Sequence, residues 1–240
     1  MKKALLFSAL ITLFFISCDE DDIYTGEGPI ITQALSLQDF SAIEALGTME
    51  VVIREGAEQK VEVTGHANII DRLETTVSNG LWKIKLKDGS YRNADLSFSI
   101  VIPELNAASI EGSGEIDIND FTSIENVFLG IIGSGDIQLD ANTGCENLVI
   151  QIEGSGNVRA NSEFTDLKNV DLEIIGSGSL EGFSLQADQV AVNIVGSADC
   201  SVTAHVSLNV DIDGSGTVSY KGDPNIESNI SGSGKIVNSN

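Results

Sequence analysis

The stretch "IEGSGEIDI" at residues 110–118 looks like half of a phosphate-binding glycine loop until it recurs. "IIGSGDIQL" follows at 131–139, "IEGSGNVRA" at 152–160 and "IIGSGSLEG" at 174–182. The complete set of turns is Gly112-Ser113-Gly114, Gly133-Ser134-Gly135, Gly154-Ser155-Gly156, Gly176-Ser177-Gly178, Gly196-Ser197 (followed by Ala198), Gly214-Ser215-Gly216 and Gly232-Ser233-Gly234. Successive first glycines are 21, 21, 22, 20, 18 and 18 residues apart. A fixed period of this order indicates a stacked repeat architecture.

Aligned on that glycine, the seven copies carry isoleucine two residues before it every time, from Ile110 to Ile230. Four before it stand Ala108, Leu129, Ile150, Leu172, Val192, Val210 and Ser228, and four after it Ile116, Ile137, Val158, Leu180, Cys200, Val218 and Ile236. Apolar, mostly β-branched residues at every second position, separated by polar ones, predict half-buried strands. A meander of hairpins would use Gly-Ser-Gly as a reversal, whereas a β-solenoid would use it as a corner. Identical isoleucines stacking in one column favour the solenoid, with about seven repeats over 106–240.

The motif therefore reads as a turn, with glycines supplying backbone angles closed to other residues. A dinucleotide fingerprint needs a third glycine and a following helix, and "GSGEID" has neither. Calcium-binding glycine repeats recur about every nine residues with a fixed aspartate. Here the residue after the corner is Glu115, Asp136, Asn157, Ser179, Asp199, Thr217 or Lys235, which gives no metal column. No cofactor or metal is expected.

Outside the repeats, "MKKALLFSALITLFFISC" has a charged start and an apolar run too short to span a bilayer as a mature helix. Its Phe15-Ile16-Ser17-Cys18 end resembles the lipobox of bacterial lipoproteins, with Phe15 in place of the more usual leucine. The resemblance implies cleavage after residue 17 and lipid attachment at Cys18. Asp19-Glu20-Asp21-Asp22 resembles the acidic signal that places some Bacteroidetes lipoproteins on the outer face of the outer membrane. Residues 18–36 read as an acidic tether, and 37–105 as an N-terminal β section sealing the first coil of the same domain. After residue 17 there are 11 basic and 36 acidic residues, a net charge of −25. Such a surface disfavours nucleic acid, anionic lipid and polyanionic glycans as partners. Cys145 and Cys200 fall in different parts of the coil, so no disulfide is expected between them.

The stretches "DFSAIEALGTMEVVIREG" (39–56), "VEVTGHANIIDRLETTVSNGLWKI" (61–84) and "VIPELNAASIEGSGEIDI" (101–118), with the later repeats, resemble the head GIN domain family of auto-transporter adhesins. That resemblance implies a right-handed parallel β-helix over roughly residues 38–240. It brings no catalytic or binding residues with it.

Three function classes compete. An enzyme of the glycan-active β-helix type would need paired carboxylates in a cleft. Glu111, Glu115 and Asp117 form one of many adjacent groupings that so acidic a chain produces by chance, and His66 and His205 lack ligand-spaced partners. No catalytic residues are assigned. A binding module would use the broad polar faces, with Phe121, Phe164, Phe183 and Tyr220 lining one side or packing under the return loops. The Lys83/Lys85/Lys87 stripe would hold an anion or lie solvated. A structural envelope protein would pair with itself or with a neighbouring protein, and the edge of its last coil, at "GSGKIVNSN", would be either protected by Lys235, Asn238 and Asn240 or used to dock another copy. The leading expectation is a non-enzymatic, lipid-anchored outer-membrane adhesion or interaction module at the cell surface. Its partner would be a glycan or a protein.

Overall fold

In the computed structural model, which describes residues 23–122, 125–140 and 145–240, each repeat enters its corner along one strand and leaves along another. The signal segment and Cys18 lie outside the described residues. The entering strands pair parallel and in phase: Ile110 lies against Ile131, then come Ile152, Ile174, Ile194, Ile212 and Ile230. The leaving strands stack Ile116, Ile137, Val158, Leu180, Cys200 and Val218, all buried. The result is a parallel β-helix whose core is a set of vertical aliphatic columns. Branched side chains suit it because they fit a pleated surface, and each full burial contributes roughly 1.5–3 kcal/mol.

The corner itself is held by main chain. The Ser134 N–H donates to the Gly112 carbonyl at 2.8 Å, Ser155 to Gly133 at 2.8 Å and Ser177 to Gly154 at 2.8 Å. The first glycine of each corner has φ between 118° and 139°. A Cβ on Gly154 would stand 2.3 Å from the Gly133 carbonyl oxygen. The third position is less strict, since Ala198 occupies it in one copy and is fully buried.

Two further rungs lie before the Gly-Ser-Gly series. Ala42–Gly47 and Glu50–Glu55 stack beneath Ala107–Gly112 and Glu115–Asn119, with Gly47 beside Gly112. Their corner is Gly47-Thr48-Met49, which keeps only the first glycine of the motif and so does not stand out as a repeat in the sequence. Beneath them lie Leu81–Ile84 and Ser97–Ile102, so the chain lays down the second rung before the first. At this end Lys60–His66 pairs antiparallel with Ser97–Ile102, and Ile30–Leu35 antiparallel with Lys60–His66. Trp82 plugs the core between Phe40 and Phe98, with ring centroids 5.6 and 5.7 Å away, and its indole N–H donates to the Glu74 carbonyl at 3.1 Å. A single helical turn, Ala67–Ile70, buries Ile69 and Ile70 beside them.

Part of the stretch expected to be tether is strand. Ile23–Thr25 runs parallel to Ser90–Arg92, and Ile30–Leu35 forms the antiparallel edge just described. No apolar period announced them because their apolar residues Ile23, Ile30 and Ile31 are exposed. What fixes the first is Tyr24, stacked on Tyr91 at 5.5 Å with the Arg72 guanidinium 3.8 Å from its ring.

Candidate functional surface

The Gly-Ser-Gly corner presents a ridge, not a cradle. An anion nest needs free main-chain N–H groups, but those of the corner serines are committed to the rung below. So are those two residues on, as with Asp136 to Gly114 at 3.0 Å and Asn157 to Gly135 at 3.1 Å. The serine side chains are exposed in a single file, one per rung. Because the serine hydroxyl carries no packing, Ser155→Ala should change unfolding stability by no more than about 0.5 kcal/mol. Urea denaturation checks this, and a larger loss would mean that the ridge is a structural rail.

On either side of the ridge, polar side chains bond from rung to rung. On the entering face, Asn147 donates to Asn126 at 2.8 Å and Asn169 to Asn147 at 2.7 Å, while Gln151 and Asn193 both reach Glu173, at 3.3 and 3.4 Å. On the leaving face, Asn157 donates to Asp136 at 2.8 Å and Ser179 to Asn157 at 2.6 Å. Arg159 sits between Glu181, at 3.1 Å, and Asp136, at 3.7 Å. These ladders hold long side chains in fixed rows, and such rows suit contact with an extended partner. A shallow depression of about 300 Å³ interrupts the entering face where Ala191 is short between Asp171, Glu173, Asn193 and Asp211.

The carboxylates singled out in the sequence do not face one another across a cleft. Glu111 lies on the entering strand, whereas Glu115 and Asp117 share the outer side of the leaving one. Partial burial raises the Asp117 pKa, and the neighbouring charges of Glu115, Asp140 and Glu50 raise it further against Arg54. Among the described residues no group of three His, Cys, Asp or Glu side chains could hold a metal ion. His205 is exposed, and His66 meets the Asn93 amide nitrogen through Nε2 at 3.0 Å.

The aromatic row is not a binding strip. Phe121 and Phe164 are buried in the core, while Phe183 and Tyr220 are half-buried, the former beneath the Lys221 ammonium at 4.6 Å. Nor do the three lysines act together. Lys83 pairs with Glu44 at 2.6 Å and Lys85 with Glu74 at 3.2 Å. Lys87 borders an open cleft of about 560 Å³ between the Gly47 corner and the 85–95 segment. Cys145 and Cys200, the two cysteines among the described residues, are free and buried.

Comparison with known proteins agrees with this architecture. A family model described as "Putative auto-transporter adhesin, head GIN domain" matches residues 39–224. A solved structure described as a putative adhesin from Bacteroides fragilis is 24% identical, with a TM-score of 0.78 over 90% of this chain and 99% of that one. Another, described as a putative lipid binding protein from Parabacteroides distasonis, is 25% identical, with a TM-score of 0.75 over 91% of this chain and 100% of its own. An adhesin-named structure from Parabacteroides merdae is 17% identical with a TM-score of 0.70, covering 91% of this chain and 100% of its own. No curated protein matches the chain. Among the described residues no helix is long and apolar enough to cross a membrane.

Proposed function

The chain belongs to the head GIN domain family of auto-transporter adhesins, and from that premise we propose that it is a non-enzymatic adhesion or interaction module of the cell envelope. It is held to the outer membrane by lipid on Cys18 and displays its β-helix outside the cell. The observation that carries the reading is the pair of broad outer faces, whose rung-to-rung polar ladders present fixed side chains over an extended surface. Solenoids meet partners through such extended surfaces. A net charge of −25 after residue 17 points the partner away from anionic polymers and toward neutral glycans or proteins. The lipid-binding name of one structural neighbour suits this chain less well. Its cap cleft is open and carries Lys85, Lys87, Asp88 and Asp95, a poor lining for an acyl chain.

Protease shaving of intact cells that produce the full chain tests the location. Proteinase K should remove the immunoblot band while a periplasmic control protein survives. Protection in intact cells, with digestion in the lysate, would sink surface display and leave an envelope-structural role. Replacing Cys18 by alanine should release the chain from the membrane fraction.

A further inference from the structure

The last rung is unlike every rung below it. Ile230 continues the isoleucine column but is 39% exposed, whereas Ile212 beneath it is 2% exposed. Ile226 and Ile236 likewise sit over the buried Leu208 and Val218 with nothing above them among the described residues. Asn225–Gly232 and Lys235–Asn238 each pair on one side only. The final residues do not cover this end. Ser239 N–H donates to the Tyr220 carbonyl at 2.8 Å, and the Asn240 amide bonds Gly222 twice at 2.8 Å, so both run back along the preceding rung.

Charge changes at the same place. Residues 106–220 hold 2 basic and 18 acidic side chains, a net of −16. Residues 221–240 hold Lys221 and Lys235 against Asp223 and Glu227, a net of zero. The part of the repeat body that would not repel a second copy of this acidic chain is thus the part that exposes unpaired backbone and the end of the core. An unpaired edge with exposed aliphatics is a template for strand addition.

We propose that the last rung is a self-association surface through which two copies meet end to end about a two-fold axis. Isoleucines 226, 230 and 236 of each copy cover those of the other, and the edge strands extend each other's sheets in the antiparallel sense. A two-fold contact of this kind is self-complementary and closes at two. The opposite end of the molecule does not offer a matching cross-section. Its core is sealed by Trp82 and Ile84, both fully buried, and its edges are the antiparallel strands Ile30–Leu35 and Val77–Ser78. Self-association rests on these features of the end rung and not on surface display, so either can fail without the other.

The test is site-directed crosslinking on cells producing the full chain. Ser228→Cys places a thiol on the end rung, and a short bismaleimide should convert that variant to a species of doubled mass. The parent chain and a mid-stack Ser155→Cys control should not react in this way. Adding Ile230→Asp to Ser228→Cys should abolish the doubled species while leaving protease resistance of the monomer unchanged. The proposal is overturned if Ser228→Cys takes up a monomaleimide but yields no doubled species, as a head-to-tail contact or a strand from another protein would give. Equal crosslinking at Ser155→Cys, or a product of a different mass, would overturn it as well.

Discussion

Alanine at Gly154 should cost the protein on the order of 4 kcal/mol or more, a large share of the usual 5–15 kcal/mol of total stability. Two penalties combine there. The residue has φ 124°, a conformation that costs a residue with a Cβ about 1–3 kcal/mol. The new Cβ would also press to 2.3 Å from the Gly133 carbonyl oxygen, and relieving that contact means spreading two rungs and weakening the Ser155 N–H to Gly133 bond. Gly47 separates the two terms. Its φ is 107°, yet a Cβ there meets nothing within 4 Å, because the rung beneath replaces its corner with the 85–96 excursion. Gly47→Ala should therefore cost only the backbone strain, about 1–3 kcal/mol. Gly156→Ala should also cost less than Gly154→Ala, since Ala198 already occupies the equivalent position without positive φ. Urea midpoints of the three variants check the order. If Gly154→Ala were no worse than Gly47→Ala, close stacking of rungs would not be what demands glycine at the corner.

That contrast marks where the sequence was informative. Between Gly112 and Gly232 every rung repeats one corner and one isoleucine, so neighbours in sequence are neighbours in space and the register can be counted. The N-terminal rungs break both conditions. Gly47-Thr48-Met49 keeps only the glycine that φ requires, and Met49 takes a third position that elsewhere is glycine or alanine. The rung at 81–102 has no corner motif at all and is inserted beneath one that precedes it in the chain. Its place depends on Trp82 stacking on Ile43 and on the antiparallel Lys60–His66 strand, contacts between distant segments that local periodicity does not encode. The surface was less legible still. Acidic residues in the sequence are interchangeable solvated positions, but the register makes rows of them and pairs some with amides from the rungs on either side. The lysine stripe illustrates the opposite case: alternation placed its three members together, and Glu44 and Glu74, from other segments, take two of them out of play.

Raising the pH above 9 should destabilise the fold, and the two buried thiols should account for much of the loss. Burial pushes Cys145 up to about 11 and Cys200 up to about 12, from an ordinary 9.0, with the Asp199 charge adding to the effect at Cys200. Folded, both stay protonated through that range. Unfolded, each begins to ionise near its ordinary value. Between pH 9 and the folded value the native state therefore holds a proton that the unfolded chain has released, so stability falls as pH rises, by about 1.4 kcal/mol per unit for each thiol. Taken over the full interval this is about 3 kcal/mol for Cys145 and about 4 kcal/mol for Cys200. The Cys145 contribution ends near pH 11, and that of Cys200 continues further. Urea midpoints of the parent chain should drop between pH 8.5 and 10.5, and those of a Cys145→Ala/Cys200→Ala variant should drop distinctly less, even though the variant starts lower for want of two buried sulfur atoms. Parallel profiles would mean that the thiols open to solvent before the fold does. In the native protein at pH 8 neither thiol should take up a maleimide, because the reactive thiolate is scarce and the side chains are enclosed. Labelling should appear only as denaturant unstacks the rungs, with Cys145, in the return between two of them, becoming accessible before Cys200, which sits in the leaving-strand column between Leu180 and Val218.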